Sequence, residues 1–309
     1  MNPKIVVTAN AFSKNEVLVS RLKQFTNNVV LNTTERYTKE ELIDNLKDAE
    51  GAIVGLDKID SSVLKECDNL KIVAKYGVGL DNINIEDCKD SNIVVGWTGG
   101  VNKTSVAEMT LGYMLMLTRN LYTTSNQLKN GHWNKSGGFQ LSGKTVGIIG
   151  VGNIGKEVIR FLNSFGCKVL VNDIIDQEQY YKDNNLIEVS KEKIFKESDI
   201  VTIHTPFTEK TQNLVTLKEF KTMKKKSFII NTARGGIINE NDLKYALIEG
   251  LILGAAIDAY IIEPPIDGDL ISLPNLICTP HIGGNAKEAV EAMGISAIKH
   301  LEDFFKENK

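Results

Sequence analysis

Short apolar runs alternate with longer amphipathic stretches from one end of the chain to the other. In the first part, a capping-box pattern at Thr38-Lys39-Glu40-Glu41 predicts the start of a helix over Glu40–Leu46. Apolar runs of strand length between such helical stretches predict a compact five-stranded α/β unit. The predicted strands of this unit are Lys4–Thr8, Val29–Leu31, Ala52–Leu56, Lys71–Lys75 and Ile93–Trp97.

A long helical stretch follows, from roughly Lys103 to Lys129, and ends at Gly131. Its middle, Met109–Leu117, is apolar nearly all round, which predicts that the helix is buried. A core helix accounts for this pattern, and a subunit interface on the same helix is equally open.

A second α/β block begins at Lys144, because strand-like and helix-like segments again alternate there. Asn239 is predicted to cap one helix and Gly250 to end it, and Ala286–Phe305 is predicted to be a single amphipathic helix. No linker rich in Pro, Gly or Ser separates the two blocks, so we expect close crossings between them. The predicted strands are Thr145–Gly150, Lys168–Asp173, Asp199–His204, Ser227–Thr232, Leu253–Ala259 and Leu276–Thr279.

The first strand of the second block runs into the glycine pattern Gly150-Val151-Gly152-Asn153-Ile154-Gly155, after which a helix is predicted. In a dinucleotide site the first glycine makes a tight turn, the second lets the backbone approach a pyrophosphate, and the third packs helix against strand. The free N–H groups at the helix start favour phosphate binding. A glycine-rich turn without nucleotide is the alternative, and the strand and helix on either side argue against it.

Asp173 ends the next predicted strand, 18 residues after Gly155. A carboxylate at this distance accepts hydrogen bonds from the ribose hydroxyls of a dinucleotide. The same carboxylate repels a 2′-phosphate, and no Arg or Lys follows in Ile174-Ile175-Asp176. The pattern therefore favours NAD over NADP.

Three later predicted strands end in segments with reactive side chains, and these segments contain Arg234, Glu263 and His281. Ligands of open α/β sheets bind beyond the carboxyl ends of the strands, where all three segments are expected to lie. Arg234 can bind carboxylate and carbonyl oxygens together, and His281 can give or take a proton near neutral pH. Glu263 can hydrogen-bond the imidazole, orient it and favour its charged form. Taken singly, each could be a structural residue; together they fit reduction of a 2-keto acid.

Composition narrows the classes of function. The net charge of −3 offers no basic surface for nucleic acid or anionic lipid. The four cysteines stand far apart without a C-x-x-C pair, which argues against a disulfide framework or a zinc site. No apolar run reaches the roughly 18 residues of a membrane span, and no signal peptide is recognised before the first predicted strand. We therefore expect a cytoplasmic protein that binds no metal.

In order and spacing these segments resemble the D-isomer-specific 2-hydroxyacid dehydrogenase family, from Ile5 to the C-terminal helix. The resemblance implies an NAD-dependent oxidoreductase that interconverts a small D-2-hydroxy acid and its 2-keto acid by hydride transfer. It also implies an α/β fold of two doubly wound parallel-sheet domains. A Rossmann nucleotide-binding domain, residues 100–284, would be inserted into a flavodoxin-like substrate domain, residues 1–99 and 285–309. The resemblance is further carried by Tyr76-Gly77-Val78-Gly79-Leu80-Asp81-Asn82-Ile83, by Asn102 with Val106-Ala107-Glu108, and by His204-Thr205-Pro206 with Thr211.

The resemblance also implies the roles of individual residues. Arg234 would bind substrate, His281 would be the acid/base and Glu263 its partner. The substrate site would include Lys75, Tyr76, Gly77, Val78 and Gly79, with backbone N–H groups of this loop directed at the substrate carboxylate. A homodimer through the long helix is also implied. NAD would be held by Gly150, Gly152, Asn153, Ile154, Gly155, Asp173, His204, Thr205, Pro206, Thr211, Thr232, Ala233, Asp258, Gly283 and Gly284.

The identity of the hydroxy acid stays open at this stage. Phosphoglycerate dehydrogenases are the subgroup with the most similar sequence motifs. Lys75 stands where they commonly have Arg, so 3-phosphoglycerate is one candidate. Lys75 and Lys135 could each serve a phosphate, or could be ordinary surface lysines. Reduction of glyoxylate or hydroxypyruvate is the alternative reaction. A non-catalytic NAD-sensing corepressor is an alternative of another class, against which the complete Arg-Glu-His set argues.

Overall fold

A five-stranded parallel sheet forms the centre of the first of two units. This unit, unit 1, runs to Asn102 and resumes at Asn285 in the computed structural model, which describes residues 2–308. Its strands are β1 (Ile5–Val7), β2 (Val29–Leu31), β3 (Gly51–Val54), β4 (Ile72–Lys75) and β5 (Val94–Gly96). The order β2-β1-β3-β4-β5 is the flavodoxin-like order that the sequence predicts.

Helices cover both faces of the sheet in unit 1. The predicted capping box is confirmed, because the Thr38 hydroxyl accepts from Glu41 N while the Glu41 carboxylate accepts from Thr38 N. Apolar side chains from α1 and α2 pack on one face of the sheet, and those from α3, α4 and α5 pack on the other. The helices are α1 (Asn10–Ser13), α2 (Glu16–Phe25), α3 (Lys39–Leu46), α4 (Ser61–Leu64) and α5 (Ile85–Asp90).

Unit 2 runs from Lys103 to Gly284 and begins with the long helical stretch. This stretch is not the single helix that the sequence predicts. It is broken into α6 (Lys103–Thr118) and α7 (Leu121–Lys129) by Asn120, whose φ of 56° is left-handed. Asn tolerates this conformation, and its Nδ2 donates to Ser136 O at 3.1 Å. Burial is also less complete than predicted, since within Met109–Leu117 only Thr110, Tyr113 and Met114 are fully buried.

A seven-stranded parallel sheet forms the centre of unit 2, in the order β12-β11-β10-β9-β6-β7-β8. This is the Rossmann order with one additional strand. The strands are added in one direction from β6 to β8 and in the opposite direction from β9 to β12, so the order reverses between the parallel neighbours β6 and β9. The sequence missed β8, which has only two residues, both exposed. The strands are β6 (Thr145–Ile149), β7 (Lys168–Asn172), β8 (Ile187–Glu188), β9 (Ile200–Ile203), β10 (Phe228–Asn231), β11 (Gly254–Ile257) and β12 (Leu276–Cys278).

The helices of unit 2 complete its two apolar layers. Asn239 caps α12 as predicted, by accepting from Asp242 N, and Gly250 follows the helix with a φ of 62°. Among the described residues, no helix combines the length and apolar character that crossing a membrane requires. After α6 and α7, the helices are α8 (Asn153–Asn163), α9 (Glu178–Asp183), α10 (Lys191–Glu197), α11 (Leu217–Thr222), α12 (Glu240–Ile248) and α13 (Gly268–Ile271).

The last helix, α14 (Lys287–Glu307), belongs to unit 1 and begins one residue later than predicted. Its buried residues Ala297, Ile298 and Leu301 join the apolar cluster that α1 and α2 form against the sheet. The predicted fold class, two parallel-sheet α/β domains with the second inserted into the first, is therefore confirmed. The units divide after Asn102 and after Gly284, and the assignment of domain boundaries at residue 99 stays a prediction.

Candidate active site

Parallel register brings most of the predicted residues of unit 2 to one edge of the sheet. Ile149 is paired with Asn172 and with Ile203, and Asn231 with Ile257. The strands therefore end level, and the residues that follow them lie side by side. These residues are Gly150 after β6, Asp173 after β7, His204 after β9, Thr232 after β10, Asp258 after β11 and Thr279 after β12.

The glycine pattern forms a tight turn between β6 and α8. A Cβ at Gly150, whose φ is 97°, would lie 2.5 Å from the carbonyl oxygen of His204. A Cβ at Gly155 would overlap the carbonyl oxygen of Gly150, so both positions require glycine for packing. A Cβ at Gly152 would meet nothing within 4 Å. Of the three glycines only Gly152 has open space beside it, next to the free N–H groups of the first turn of α8, and this open cradle fits a pyrophosphate.

Asp173 lies at the rim of this turn. Its Oδ2 accepts from Val151 N at 2.6 Å, and its Oδ1 accepts from Ile175 N at 2.9 Å. The carboxylate is therefore fixed beside the glycine loop, at the position that the sequence assigns to the ribose contact.

The loop after β9 holds two buried polar atoms that have no hydrogen-bond partner among residues 2–308, His204 Nδ1 and Thr205 Oγ1. Such atoms are rare in folded proteins and point to a ligand that satisfies them. The other ring nitrogen of His204 lies 3.0 Å from Thr202 Oγ1, and desolvation lowers the pKa of His204 well below its usual range. The ring is therefore neutral near neutral pH.

Pro206 and Thr211 are brought together by the same loop. The Thr211 hydroxyl donates to Pro206 O at 2.7 Å and accepts from Thr208 N at 2.7 Å. Thr211 therefore closes the loop that carries Pro206, a role that the sequence did not indicate.

The loop after β10 presents Arg234. The side-chain amide of Asn231 donates to Arg234 O at 2.8 Å and accepts from Ala233 N at 3.0 Å, which fixes the turn. The guanidinium of Arg234 donates to Ala233 O at 2.7 Å. Asn231 is a residue that the sequence reasoning missed; its position as the last residue of a buried strand, directly before the loop, was the available signal.

The structure brings His281 and Glu263 into direct contact. The Nδ1 atom of His281 lies 2.8 Å and 3.0 Å from the two carboxylate oxygens of Glu263, and Glu263 Oε1 also accepts from Tyr260 N at 3.1 Å. A carboxylate on Nδ1 selects the tautomer that carries its proton there and orients the ring. Nε2, on the far side of the ring, is then the atom positioned for proton exchange with a substrate.

Asp258 contacts the segment that carries His281. Its side chain is 1% exposed. Its Oδ1 accepts from Thr279 Oγ1 at 2.5 Å and from Ile282 N at 2.9 Å, while its Oδ2 accepts from Gly283 N at 2.7 Å. The resemblance implies that Asp258 binds NAD; the observed contacts add that it accepts from the Thr279 hydroxyl before His281 and from two backbone amides after it.

In unit 1 the predicted substrate residues lie together at the carboxyl end of β4. Lys75 is only 5% exposed, so the interpretation of this residue as an ordinary surface lysine is wrong. Its ammonium donates to Gly55 O at 2.5 Å and to Asn82 Oδ1 at 2.6 Å. A Cβ at Gly77 would lie 3.0 Å from Lys75 Cε, so the lysine side chain lies against the glycine loop. Lys135, by contrast, is exposed.

Neighbouring aromatic residues hold the same loop. The Tyr76 ring packs edge-on against Phe12, with centroids 5.4 Å apart, and Trp97 Nε1 donates to Val78 O at 2.7 Å. The amides of Gly77, Val78 and Gly79 are thus presented from a supported loop. Within the described residues, no group of three or more His, Cys, Asp or Glu side chains is arranged to hold a metal ion.

Comparison with known proteins gives a consistent result. Residues 111–283 match the family described as D-isomer specific 2-hydroxyacid dehydrogenase, NAD binding domain. A hydroxypyruvate reductase from Thermotoga maritima is 37% identical over 281 residues, which cover 89% of this chain and 90% of that protein. A D-3-phosphoglycerate dehydrogenase from Methanocaldococcus jannaschii is 37% identical over 269 residues, which cover 86% of this chain and 51% of that protein. This chain thus spans about half the length of that dehydrogenase.

The fold comparison agrees. The crystal structure of a D-lactate dehydrogenase from Aquifex aeolicus, complexed with NAD and lactic acid, superimposes with a TM-score of 0.85 at 26% identity. The superposition covers 98% of this chain and 94% of the other. With the matched NAD-binding domain and relatives named as dehydrogenases and reductases, these findings identify an NAD-dependent enzyme, and the non-catalytic alternative is not favoured. The chain belongs to the D-isomer-specific 2-hydroxyacid dehydrogenase family.

Proposed function

We propose that Arg234, Glu263 and His281 are the catalytic residues of this NAD-dependent D-2-hydroxyacid dehydrogenase. We further propose that its substrate is a small unphosphorylated 2-keto acid of the hydroxypyruvate or glyoxylate type. The observation that carries the catalytic assignment is the contact of His281 Nδ1 with both carboxylate oxygens of Glu263, beyond the carboxyl ends of the sheet in unit 2.

In the direction of reduction, NADH, when bound, would supply the hydride that the carbonyl carbon of the keto acid takes up. Negative charge then develops on the carbonyl oxygen, and the charged imidazole of His281 donates a proton to it from Nε2. The carboxylate of Glu263 stabilises the charged ring and holds its orientation. Arg234 binds the substrate through the fork of its guanidinium, which fits a carboxylate and a neighbouring carbonyl oxygen. In oxidation, neutral His281 takes the proton back.

The NAD site that we propose follows from the same edge of the sheet. The N–H groups at the start of α8, with Asn153, Ile154 and the open position at Gly152, would hold the pyrophosphate. Asp173 would accept from the ribose hydroxyls. The buried Thr205 hydroxyl and the neutral His204 ring would meet the nucleotide from the loop after β9. The remaining members of the proposed site, at the ends of β10, β11 and β12, are Thr232, Ala233, Asp258, Gly283 and Gly284.

The preference for an unphosphorylated substrate rests on Lys75. The sequence made this lysine the main candidate for a phosphate contact. Its ammonium is buried and donates to two acceptors of unit 1 at 2.5 Å and 2.6 Å. Its side chain also packs against Gly77, so it supports the glycine loop. Two of the three N–H groups of the ammonium are thus engaged by acceptors of unit 1, which favours a supporting role over a phosphate contact. The relative that matches over 90% of its own length, moreover, is named hydroxypyruvate reductase.

A second candidate, 3-phosphoglycerate, is favoured by one observation, the 37% identity with a D-3-phosphoglycerate dehydrogenase. Hydroxypyruvate and phosphohydroxypyruvate differ only by the phosphate, so their comparison separates the two candidates. We expect kcat/KM of NADH oxidation to be about 10- to 100-fold higher with hydroxypyruvate, since a charged group that lacks its partner costs on the order of 1–3 kcal/mol. A higher kcat/KM with phosphohydroxypyruvate would contradict the proposal.

The variant Lys75→Met tests the same assignment from the protein side. If Lys75 supports the loop, the variant should lose kcat/KM by a similar factor with hydroxypyruvate and with phosphohydroxypyruvate. A selective loss with the phosphorylated acid would make Lys75 a phosphate ligand. The exposed Lys135 supplies the matched control, and Lys135→Met should leave the ratio of the two substrates unchanged.

The preference for NAD should depend on Asp173. The variant Asp173→Ala should raise the KM for NADH about tenfold, because it loses hydrogen bonds to a charged group that contribute on the order of 1.5 kcal/mol. It should also reduce the preference of the enzyme for NADH over NADPH. Asp176, an exposed carboxylate in the same loop, provides the control variant Asp176→Ala. The measurement is steady-state turnover at low concentrations of each cofactor. Equal turnover of NADH and NADPH by the unaltered enzyme would rule the assignment out.

We also propose a homodimer and a cytoplasmic location. Large apolar side chains are exposed at Leu121, Leu128 and Trp133, on α7 and the segment after it, and they support a subunit contact near this helix. All four cysteines are free thiols, which is typical of a reducing compartment.

A further inference from the structure

Helix α6 is apolar over most of its surface, yet three of its hydroxyl groups bond to residues outside the helix. Ser105 Oγ donates to Gly283 O at 2.6 Å, Thr110 Oγ1 lies 3.0 Å from Thr232 Oγ1, and Tyr113 OH is hydrogen-bonded to Thr279 Oγ1. Two of the partners lie within two residues of His281 and the third within two residues of Arg234. The hydroxyls of α6 therefore meet the loops that carry the proposed catalytic side chains.

The contact of Tyr113 has a fixed direction. A carboxylate only accepts, so the single hydroxyl proton of Thr279 is given to Asp258 Oδ1, at 2.5 Å. Tyr113 must then donate to Thr279 Oγ1, because that oxygen has no second proton to offer. A chain of donors runs from Tyr113 through Thr279 to Asp258. Hydrogen-bond chains of this kind, here partly buried, polarise their members and hold them in place.

Asp258, the last acceptor in this series of hydrogen bonds, fixes the backbone next to His281. Asp258 also accepts from Ile282 N and Gly283 N, the two amides that follow the histidine. His281 itself has a φ of 52°, a left-handed conformation that costs energy for a residue with a side chain and persists only where its surroundings hold it. Its ring is 42% exposed, so packing alone does not fix it. The position of the imidazole therefore depends on the bonds of Asp258 to the following backbone, as well as on the contact of its Nδ1 with Glu263.

We propose that Tyr113 is a positioning residue for His281, acting through Thr279 and Asp258. The proposal rests on the proposed function, because it takes His281 to be the acid/base. It makes α6 the support of the catalytic loop in unit 2, in addition to its packing role. The Tyr113 side chain is buried, so its hydroxyl is placed to act through Thr279 and not by contact with the substrate.

The test begins with Tyr113→Phe, which removes the hydroxyl and keeps the ring. We expect kcat for reduction of hydroxypyruvate to fall about 5- to 20-fold, since small displacements of a catalytic group cost up to about 100-fold. The Kd for NADH, measured by fluorescence, should stay within twofold. Tyr181→Phe is the matched control: it is also a buried tyrosine of unit 2, in the same apolar cluster, and among residues 2–308 its hydroxyl makes no hydrogen bond to the loops that carry Arg234 and His281. It should leave kcat unchanged.

Variants of Thr279 test the chain without altering Tyr113. Thr279→Ser keeps the hydroxyl and should retain most of kcat, whereas Thr279→Val should lose at least as much as Tyr113→Phe. The double variant Tyr113→Phe/Thr279→Val should be no slower than Thr279→Val alone, because members of one chain are not additive. Additive losses would overturn the proposal, as would an unchanged kcat in Tyr113→Phe.

The His281→Ala background separates this inference from the proposed function. There the addition of Tyr113→Phe should change the residual rate less than twofold, since the group that the tyrosine positions is gone. An equal 5- to 20-fold loss in that background would mean that Tyr113 acts by some route other than His281, and would overturn the inference alone. A His281→Ala enzyme that keeps most of its rate would overturn the proposed function itself, whatever Tyr113→Phe does.

Discussion

Replacing His281 by alanine should lower kcat at least about 100-fold in both directions, the lower end of what a positioned general acid–base contributes. The reason is the geometry of the pair: Glu263 holds Nδ1 at 2.8 Å and 3.0 Å, so the ring presents Nε2 in one orientation. Binding of NADH should be nearly unchanged, because the glycine loop and Asp173 lie after other strands. Stopped-flow or steady-state rates with hydroxypyruvate measure the first effect, and fluorescence titration of NADH the second.

The variant Glu263→Gln refines the same prediction. Glutamine keeps an acceptor for Nδ1–H but removes the charge that stabilises the imidazolium, so kcat should fall by less than in His281→Ala and by more than in a surface control.

Because reduction consumes a proton that His281 delivers and oxidation returns one to it, reduction should be favoured at lower pH and oxidation at higher pH. A His281→Ala enzyme with most of its original rate would remove histidine from the mechanism.

The sequence predicted the positions of the reactive side chains because parallel α/β sheets follow a strict rule. Every predicted strand of the two blocks is present within two residues at each end. Since strands such as β6, β7 and β9 end in register, Gly150, Asp173 and His204 reach the same edge although far apart in sequence. Strand periodicity and the rule for ligand positions were sufficient to group Gly150 with Asp173, whereas the family resemblance was needed to add His204.

Other features depend on tertiary contacts that leave little trace in the sequence. The break at Asn120 follows no Gly or Pro; Arg119 Nε donates to Gly137 O and Asn120 Nδ2 to Ser136 O, so a distant segment ends α6. The sequence left Lys75 open as a phosphate ligand or a surface lysine and did not predict its burial, for which Gly55 and Asn82 supply the acceptors. A buried charge of this kind is stable only with such partners, which come from other parts of the chain.

The hydrogen bonds that the hydroxyls of α6 make at the proposed site could likewise not be predicted from the sequence. Tyr113 lies in a run that is apolar nearly all round, so hydropathy assigns it to the core, and the structure confirms that it is buried. Its hydrogen bond to Thr279, 166 residues away, is determined by the packing of α6 on the carboxyl edge of the sheet. A pattern of 3.6 residues predicts which face of a helix is buried; it does not predict which polar atom that face meets.

Arg234→Lys should lower kcat/KM by roughly 30- to 1000-fold, which corresponds to a loss on the order of 2–4 kcal/mol when a charge-assisted bond at a binding site is left unmade. Lysine keeps the positive charge but not the planar fork, so it cannot bind the carboxylate and the carbonyl oxygen at once. Asn231 fixes the backbone of this loop through Ala233 N and Arg234 O, contacts that the substitution leaves intact. The loss should therefore reside in the side chain, and the Kd for NADH should stay near its original value.

The control for this prediction is Arg160→Lys in the same unit, where the arginine is exposed and pairs with Glu157 at 2.7 Å on the surface of α8. Exposed pairs of this kind contribute little, about 0–1 kcal/mol, so kcat/KM should not change. Because both substitutions exchange the same two side chains, any general effect of lysine is cancelled in the comparison. A kcat/KM for Arg234→Lys within a few-fold of the Arg160→Lys value would mean that the arginine fork does not anchor the substrate.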